Sequence, residues 1–240
     1  MNKDPVKLFI GTSSNGEDSN IEMAYEYSIR KNTDREVEIV WMRRGGEPYW
    51  EGWADQRWST PFSGYRWGIP EYCGFEGKAI YTDVDMINLR DIGDLFDLEV
   101  PEDKWMLARD GKRFGGKEFC VILFDNAKFK DKMPLVETWK AAPDAHHAFI
   151  QQFIQMGAVG ALDPRWNSHD GDTDEIWQLH YTHMPTQPWQ PAWFTGEAKE
   201  HPRPDLVEIY RKTLDEAVAA GYNIDDYNID RGVKYGIIGK

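Results

Sequence analysis

The 240-residue chain is poor in cysteine, has fewer basic than acidic residues and is free of long apolar runs. Its two cysteines, Cys73 and Cys120, are too few for a disulfide framework and match no clustered zinc signature. This cysteine usage fits a reducing compartment. Lys and Arg number 28 against 41 Asp and Glu, which gives a net charge of −13. Because such a surface repels phosphate backbones and anionic lipid, we expect neither nucleic-acid binding nor binding to a membrane surface.

The sequence also lacks segments that would direct it into or across a membrane. Its longest apolar run, Phe119–Phe124, has the length of a strand, whereas a membrane span needs about 20 apolar residues. The N-terminal apolar run, Val6–Ile10, is not followed by a cleavage-site pattern, so no signal peptide is expected. We therefore predict a soluble, cytoplasmic protein with no membrane anchor of its own. A hydrophobic fraction of 41% is enough to build a core, and the length suits one large domain.

Short apolar runs alternate with helical patterns along the chain. Val6–Ile10 and Val37–Met42 have the composition of buried strands. Between them, Ser19 and Glu22 have the spacing of a capping box, which predicts a helix that begins at Ser19. The same criteria predict strands at Lys78–Thr82, Lys104–Ala108, Phe119–Phe124 and Ile176–Thr182, and helices at 144–156 and 205–220. This alternation predicts an α/β fold with parallel strands.

Two acidic residues follow the third predicted strand. Asp83 and Asp85 are two positions apart, so on an extended chain their side chains point to the same side and can bind one hard cation. The carboxyl edge of a parallel sheet is also where α/β folds bind ligands. The same spacing recurs within Asp170–Asp174, where an acidic, solvated loop is the preferred interpretation. We therefore expect the metal site at Asp83 and Asp85.

Residues 61–96 contain three segments that occur together in a known family. They read PFSGYRWGIP at 61–70, KAIYTDVDMI at 78–87 and DIGDLF at 91–96. This run resembles nucleotide-sugar glycosyltransferases of the GT-A fold, particularly glycosyltransferase family 8, in which a segment ending in Ile-Pro precedes the strand with the Asp-x-Asp metal motif. The resemblance covers about residues 6–191 and is strongest at 61–96.

The resemblance implies a single GT-A-like, Rossmann-like catalytic domain over residues 1–240. Its central sheet would be mixed, mainly parallel and flanked by helices. A nucleotide-binding part would occupy about 1–100, and the acceptor site and the metal-binding histidine about 101–200, before the helix at 205–220.

The resemblance further implies a metal site of three ligands. Asp83, Asp85 and a histidine before a Pro-Trp pair would hold Mn²⁺ or Mg²⁺, because imidazole with two carboxylates suits these ions. His180 fits the motif better than His183, which stays open as the alternative. Gln187 occupies the place where the family usually has a lysine for the diphosphate. The diphosphate charge would then be met by other cationic residues, namely Arg66, Lys112, Arg113 or Lys117.

Other site residues also follow from the resemblance. The nucleotide would contact Gly11, Thr12, Arg66, Thr82 and Val84, and the donor sugar would contact Arg109 and Asp110. Asp110 could equally be a turn residue before Gly111, and Arg66 could be a surface salt bridge. No residue aligns with the group that the family places near the reacting sugar carbon. The candidates in that part of the chain are Asp144, His169 and Asp170.

These expectations describe a metal-dependent glycosyltransferase that moves a hexose from a nucleotide diphosphate sugar to the hydroxyl of a carbohydrate or other acceptor. The resemblance implies that the donor is a UDP-sugar, with UDP-glucose and UDP-galactose as the first candidates, and that the anomeric configuration is retained. One alternative is a calcium-dependent carbohydrate-binding module, which the alternation of strands and helices disfavours. The other is a sugar nucleotidyltransferase, which usually has a basic, glycine-rich loop after its first strand; residues 11–20 contain no Lys or Arg.

Overall fold

A computed structural model of the chain describes residues 4–14, 17–113, 115–190 and 194–227. The strands are β1 (Val6–Gly11), β2 (Val37–Met42), β3 (Lys78–Asp83), β4 (Met86–Asn88), β5 (Met106–Asp110), β6 (Lys117–Asp125), β7 (Val159–Leu162), β8 (Ser168–His169) and β9 (Gln178–His180). The α-helices are α1 (Ser19–Lys31), α2 (Ile69–Tyr72), α3 (Ile92–Phe96), α4 (Val136–Trp139), α5 (Ala145–Gln155) and α6 (Pro204–Ala219).

The main sheet has the strand order β2-β1-β3-β6-β5-β7. Neighbouring strands are parallel in the pairs β1–β2, β1–β3 and β5–β7, whereas β6 is antiparallel to both β3 and β5. The predicted mixed, mainly parallel sheet is thereby confirmed. In β1 the residues Leu8–Gly11 are consecutively buried, as expected when both faces of a sheet are covered.

A second, smaller sheet has the order β4-β9-β8 and adjoins the C-terminal end of β3. Met86 of β4 pairs antiparallel with His180 of β9, and His169 of β8 pairs parallel with the same His180. The strand predicted over Ile176–Thr182 is therefore real but shorter than expected. It belongs to this small sheet and not to the main one.

Helix α1 begins where the capping box predicts it, but for a different reason. The residue before the helix is Asp18, and its side chain makes no capping hydrogen bond. Glu22 instead accepts a hydrogen bond from Thr12 Oγ1 at 2.5 Å and lies 3.3 Å from Arg43 Nη1, with its side chain fully buried. The predicted capping box is therefore wrong, because the Glu22 side chain does not cap the helix. It instead contacts Thr12 in the loop after β1 and Arg43 directly after β2.

The other predicted helices agree with the structure to within one residue at each end. Helix α5 covers Ala145–Gln155, and α6 covers Pro204–Ala219. Across the described residues, no helix combines the length and the apolar character needed to cross a bilayer.

Candidate metal and nucleotide site

Asp83, Asp85 and His180 meet at the C-terminal edge of the main sheet. Asp83 is the last residue of β3, and the chain turns at Asp85 before it enters β4. Strand β9 pairs with β4 and continues alongside the turn, where the Tyr181 backbone amide donates to the Asp85 carbonyl oxygen at 3.0 Å. This pairing brings His180 Nε2 to 3.2 Å from Asp85 Oδ1. The three predicted metal ligands are therefore adjacent, and all come from short, hydrogen-bonded elements.

The alternative histidine lies elsewhere. His183 is exposed, and its Nδ1 lies 3.1 Å from Thr186 Oγ1. His180 is only 4% exposed, and its Nδ1 lies 2.8 Å from Asn167 Oδ1. Because an amide oxygen can only accept, this contact places the hydrogen on Nδ1 and leaves the lone pair of His180 on Nε2, toward the aspartates.

Asp83 is held by two neighbours through one of its oxygens. Tyr81 donates its hydroxyl to Asp83 Oδ1, and Arg66 Nη2 donates to the same oxygen at 3.1 Å. Arg66 is 5% exposed and also donates to the backbone oxygens of Ser63 and Phe119. Arg66 is therefore no surface salt bridge. It lies in the site, where its guanidinium supports Asp83 Oδ1 and leaves Oδ2 as the oxygen that can face a cation.

Asp85 is positioned by a residue from the C-terminal part of the chain. Gln187 Nε2 donates to Asp85 Oδ2 at 3.1 Å and to the Tyr181 carbonyl oxygen at 2.8 Å. The other oxygen, Oδ1, is buried and lies 3.2 Å from His180 Nε2, which carries no hydrogen to donate when the ring is neutral and Nδ1 holds the proton. A buried carboxylate oxygen without a donor is costly, and a cation bound there would satisfy it.

The charges of this cluster also favour a cation. Burial and the neighbouring Asp85 raise the pKa of Asp83, against the lowering effect of Arg66. Burial opposes protonation of His180, but the carboxylates of Asp85 and Asp83 outweigh it and raise the pKa of His180. Two carboxylates and an imidazole with a free lone pair are a ligand set for a divalent metal ion, so the residues fit Mn²⁺ or Mg²⁺.

A cavity of 320 Å³ opens beside these residues. Its walls come from the metal cluster, from the start of β6, from α5 and from the loop before α2; the lining includes Ser59, Thr60, Ser63, Arg66, Asp83, Asp85, Arg113, Glu118, Phe119, Cys120, His146, Ile150, His169, His180, Thr182 and Met184. Because β6 is antiparallel to β3, the first residues of β6 lie at the same sheet edge as the end of β3. The volume is in the range of small-molecule sites.

Cys120 is a wall residue that the sequence did not point to. Thr82 pairs with Val121, so the next residues along, Asp83 and Cys120, are opposite one another on neighbouring strands. Donor atoms of Asp83, Cys120 and His180 all lie within 4.8 Å of one another. Burial raises the pKa of the half-buried Cys120 thiol well above its usual range. The sequence held no signal for this neighbour, since the partner of an antiparallel strand is set by the fold.

The candidates for a group near the reacting sugar carbon separate in the structure. His169 lines the cavity; its ring lies edge-on to His180 at 5.3 Å, and its buried Nε2 has no partner among the described residues. Burial and the nearby His180 lower the pKa of His169 to about 4. Asp170 accepts from Thr182 Oγ1 at 2.5 Å, and Asp144 is an exposed partner of Arg57. Of these three candidates, only His169 lines the cavity.

The residues predicted to contact the nucleotide lie on adjacent strand ends. Gly11 pairs with Asp83 across the parallel β1–β3 ladder. The Thr12 hydroxyl is used by Glu22, and the Thr82 hydroxyl accepts from Tyr25 at 3.0 Å. Val84 is buried between the two aspartates of the motif. Each of these threonine hydroxyls therefore already makes one internal hydrogen bond, and the contacts of these residues with a nucleotide stay a prediction.

The two residues predicted for the donor sugar lie outside the cavity lining. Arg109 donates two hydrogen bonds to Asp172 and one to the carbonyl oxygen of Asn167. Asp110 ends β5 with its side chain 70% exposed and paired with Lys117 Nζ at 2.5 Å. Asp110 is thus the last strand residue before the loop at Gly111, and the contacts of Arg109 and Asp110 with a donor sugar stay a prediction. The ion pair between Arg109 and Asp172 also attaches the acidic loop to the end of β5. The sequence predicts this loop to be a solvated segment.

No protein-family model matches the chain, and no curated protein sequence matches it. The chain is, however, similar to several solved structures. The chain is similar to the apo form of the glycosyltransferase GlyE from Streptococcus pneumoniae TIGR4, with 17% identity, 98% of this chain and 66% of GlyE covered, and a TM-score of 0.58. It is also similar to the galactosyltransferase LgtC in complex with donor and acceptor sugar analogues, with 13% identity, 86% and 96% covered, and a TM-score of 0.58.

A third similar structure is the apo form of the bifunctional glycosyltransferase WbbM, with 11% identity, 90% of this chain and 52% of WbbM covered, and a TM-score of 0.60. The chain thus spans 66% of the length of GlyE and about half of WbbM. Identities this low establish a common fold and nothing finer. The expected GT-A-like α/β fold is thereby confirmed.

Proposed function

We propose that the protein is a metal-dependent glycosyltransferase that uses a nucleotide diphosphate sugar as donor. One observation carries the proposal: Asp83, Asp85 and His180 converge beside a 320 Å³ cavity at the C-terminal edge of a mainly parallel sheet. This edge is where α/β folds bind their ligands. The likeness of the fold to three glycosyltransferases, one of them solved with donor and acceptor sugar analogues, supports the same class.

The proposed metal is Mn²⁺ or Mg²⁺. Asp83 through Oδ2, Asp85 through Oδ1 and His180 through Nε2 would hold it, since the other oxygens and the other ring nitrogen are already hydrogen-bonded. When bound, the ion supplies a Lewis acid that neutralises the negative charge on the departing nucleotide diphosphate. Four hydrogen-bonding neighbours would orient the three ligands, namely Arg66, Tyr81, Asn167 and Gln187. Such neighbours commonly contribute to metal affinity.

Arg113 is the residue proposed to meet the remaining diphosphate charge. Of the four cations named from the sequence, Arg66 is committed to Asp83 and Lys117 to Asp110, while Arg113 lines the cavity. None of the carboxylates that the structure describes forms an ion pair with Arg113. A guanidinium suits phosphate oxygens because its planar fork can donate two hydrogen bonds.

Residues other than the metal ligands would contact the donor sugar and the nucleoside. His169, neutral because its pKa is about 4, would present a ring nitrogen to the donor sugar beside the metal. Backbone groups at Gly11 and Thr12 would contact the nucleoside. From the resemblance of residues 61–96 we further propose that the donor is a UDP-hexose, with UDP-glucose and UDP-galactose as the first candidates. The same resemblance suggests that the configuration at the anomeric carbon is retained. A single catalytic domain over residues 1–240 is part of the same proposal.

The two alternatives have less support in the structure. A calcium-dependent sugar module would use the acidic loop, but Asp172 in that loop is bound by Arg109. A sugar nucleotidyltransferase would need cationic groups in the loop after β1, and that loop has none.

The proposal is tested by following UDP-glucose and UDP-galactose by NMR in the presence of Mn²⁺. The wild type should release UDP and free sugar slowly, with the anomeric configuration of the donor retained in the first product. Asp85→Asn should abolish this hydrolysis, whereas Asp94→Asn, a change at an exposed aspartate of α3 paired with Arg90, should leave it unchanged. Equal rates in wild type and Asp85→Asn would overturn the proposal.

A further inference from the structure

Cys120 places a sulfur atom among the metal-binding residues. Its thiol, the Asp83 carboxylate and the His180 imidazole each offer a donor atom, and these atoms lie within 4.8 Å of one another. All three residues line the same cavity. Asp83 and His180 also belong to the set proposed for Mn²⁺ or Mg²⁺, so two different ligand sets overlap at one position.

The two sets differ in the metals that they prefer. Carboxylate oxygens with one imidazole suit hard ions such as Mg²⁺ and Mn²⁺. Thiolate, imidazole and carboxylate together are the donors of zinc sites, and divalent zinc is satisfied by three protein ligands and one further group. Replacing the Asp85 oxygen by the Cys120 sulfur therefore turns a hard site into a borderline-soft one.

The structure also shows how the sets can be used separately. Asp85 is anchored from behind by Gln187 through Oδ2, so it can stay in place when it is not a ligand. Asp83 is anchored through Oδ1 by Arg66 and Tyr81, and His180 through Nδ1 by Asn167, so both present the same free atom to either ion. The buried Oδ1 of Asp85 lies 3.2 Å from His180 Nε2 and has no hydrogen-bond donor among the described residues, which marks this side of the cluster as the place where a cation belongs.

We propose that Asp83, Cys120 and His180 form a second metal site, selective for Zn²⁺ and other thiophilic divalent ions. On binding, the Cys120 sulfur forms a bond to the ion and its proton leaves to solvent, with no change of oxidation state. Because this site shares Asp83 and His180 with the proposed catalytic site, zinc excludes Mn²⁺ and inhibits the transferase. The inhibition rests on the proposed function, whereas the zinc site itself does not.

Cobalt spectroscopy tests the sulfur ligand directly. Untagged wild-type protein titrated with Co²⁺ should develop a sulfur-to-cobalt charge-transfer band in the near ultraviolet. Cys120→Ser should lose the band, and Cys73→Ser should keep it, because Cys73 is the other half-buried cysteine and lies outside the cavity lining. Zinc affinity measured by competition should fall about tenfold or more in Cys120→Ser, while Mn²⁺ affinity should change little.

A second measurement does not depend on a folded variant. Zinc K-edge X-ray absorption on the wild type should show one sulfur neighbour at about 2.3 Å. A zinc-loaded wild type with only nitrogen and oxygen neighbours, or a cobalt band that persists in Cys120→Ser, would overturn the inference.

The outcomes separate this inference from the proposed function. A sulfur-ligated zinc site without any Mn²⁺-dependent nucleotide binding would support the second site and contradict the transferase. Mn²⁺-dependent UDP binding with a cobalt spectrum that lacks the sulfur band would support the transferase and overturn the second site. Absence of any metal binding would contradict both.

Discussion

Gln187 Nε2 donates a hydrogen bond of 3.1 Å to Asp85 Oδ2, across a sequence separation of 102 residues. The resemblance places a diphosphate-binding lysine at this position, and a glutamine cannot supply that charge. The structure shows what it does instead: with a further bond to the Tyr181 carbonyl oxygen, it fixes the orientation of one proposed metal ligand. We therefore propose that Gln187 is a positioning residue and that other groups would meet the charge of a bound diphosphate.

Removing Gln187 should weaken metal binding. In Gln187→Ala the Asp85 carboxylate loses its anchor and can rotate away, so Mn²⁺ affinity should fall about ten- to hundredfold, the usual effect of losing an outer-shell partner. Calorimetric titration of Mn²⁺ without nucleotide measures this. Gln155→Ala, on the exposed surface of α5, is the matched control and should bind as the wild type does. Unchanged affinity in Gln187→Ala would refute the positioning role.

Arg113 should contribute to nucleotide affinity and not to metal affinity. Hydrogen bonds to charged groups are worth about 1.5–3 kcal/mol, so Arg113→Ala should raise the Kd for UDP about ten- to hundredfold at saturating Mn²⁺. Added salt should reduce the difference in the Kd for UDP between the wild type and Arg113→Ala. The neighbouring exposed Lys112→Ala should have a much smaller effect. If Lys112→Ala is the more damaging change, the diphosphate lies elsewhere.

His146 should make the fold less stable in acid. Burial lowers the pKa of His146 to about 3 from its ordinary 6.5, and Trp67 Nε1 donates to its Nδ1 at 2.8 Å, so the native ring stays neutral. Between those two pH values the unfolded chain binds a proton that the native state refuses. The free energy of unfolding therefore falls as the pH drops through this window, by about 5 kcal/mol at most.

Urea unfolding in EDTA at pH 7 and at pH 4.5 measures this dependence. His146→Gln should lose part of the decrease in stability that the wild type shows on acidification. His147→Gln, which changes the exposed neighbouring histidine, should retain it. A pH dependence that is the same in the wild type and in His146→Gln would mean that this histidine is protonated in the native state.

Gly11 should not tolerate a side chain, because it is surrounded at the end of β1. A Cβ atom there would lie 2.7 Å from the Phe62 ring and 2.9 Å from the Tyr81 hydroxyl. Gly11→Ala should cost about 1–3 kcal/mol of stability. It should also weaken Mn²⁺ binding, because Tyr81 donates its hydroxyl to Asp83. Thermal unfolding and metal calorimetry measure the two effects, and a variant with wild-type stability would contradict the close packing of Gly11 against Phe62 and Tyr81.

The sequence predicts the main strands well because their signal is local. Strands buried on both faces read as nearly continuous apolar runs, and the runs at β1, β2, β3 and β6 are of that kind. Strand β7, Val159–Leu162, escapes prediction because glycine and alanine fill half of it. The short strands β4 and β8 escape for another reason, since two or three residues carry no periodicity.

The candidate site divides in the same way. Asp83 and Asp85 are readable because their spacing and their strand lie in one short segment. His180 required a resemblance to single it out, since only the pairing of β9 with β4 brings it to Asp85. Arg113 is one of four cations that the sequence offers, and its place in the cavity lining singles it out. Cys120 and Gln187 meet the site through contacts between distant parts of the chain, and a single sequence holds no record of such contacts.

The proposed function requires that Asp83, Asp85 and His180 bind a metal ion that in turn binds a nucleotide diphosphate. Calorimetric titration of UDP and GDP into the protein, first with Mn²⁺ and then with EDTA, measures this binding. We predict binding of one diphosphate that depends on Mn²⁺, is lost in His180→Ala and is kept in His183→Ala. Binding that is equal in EDTA, or that survives His180→Ala and fails in His183→Ala, would contradict the account.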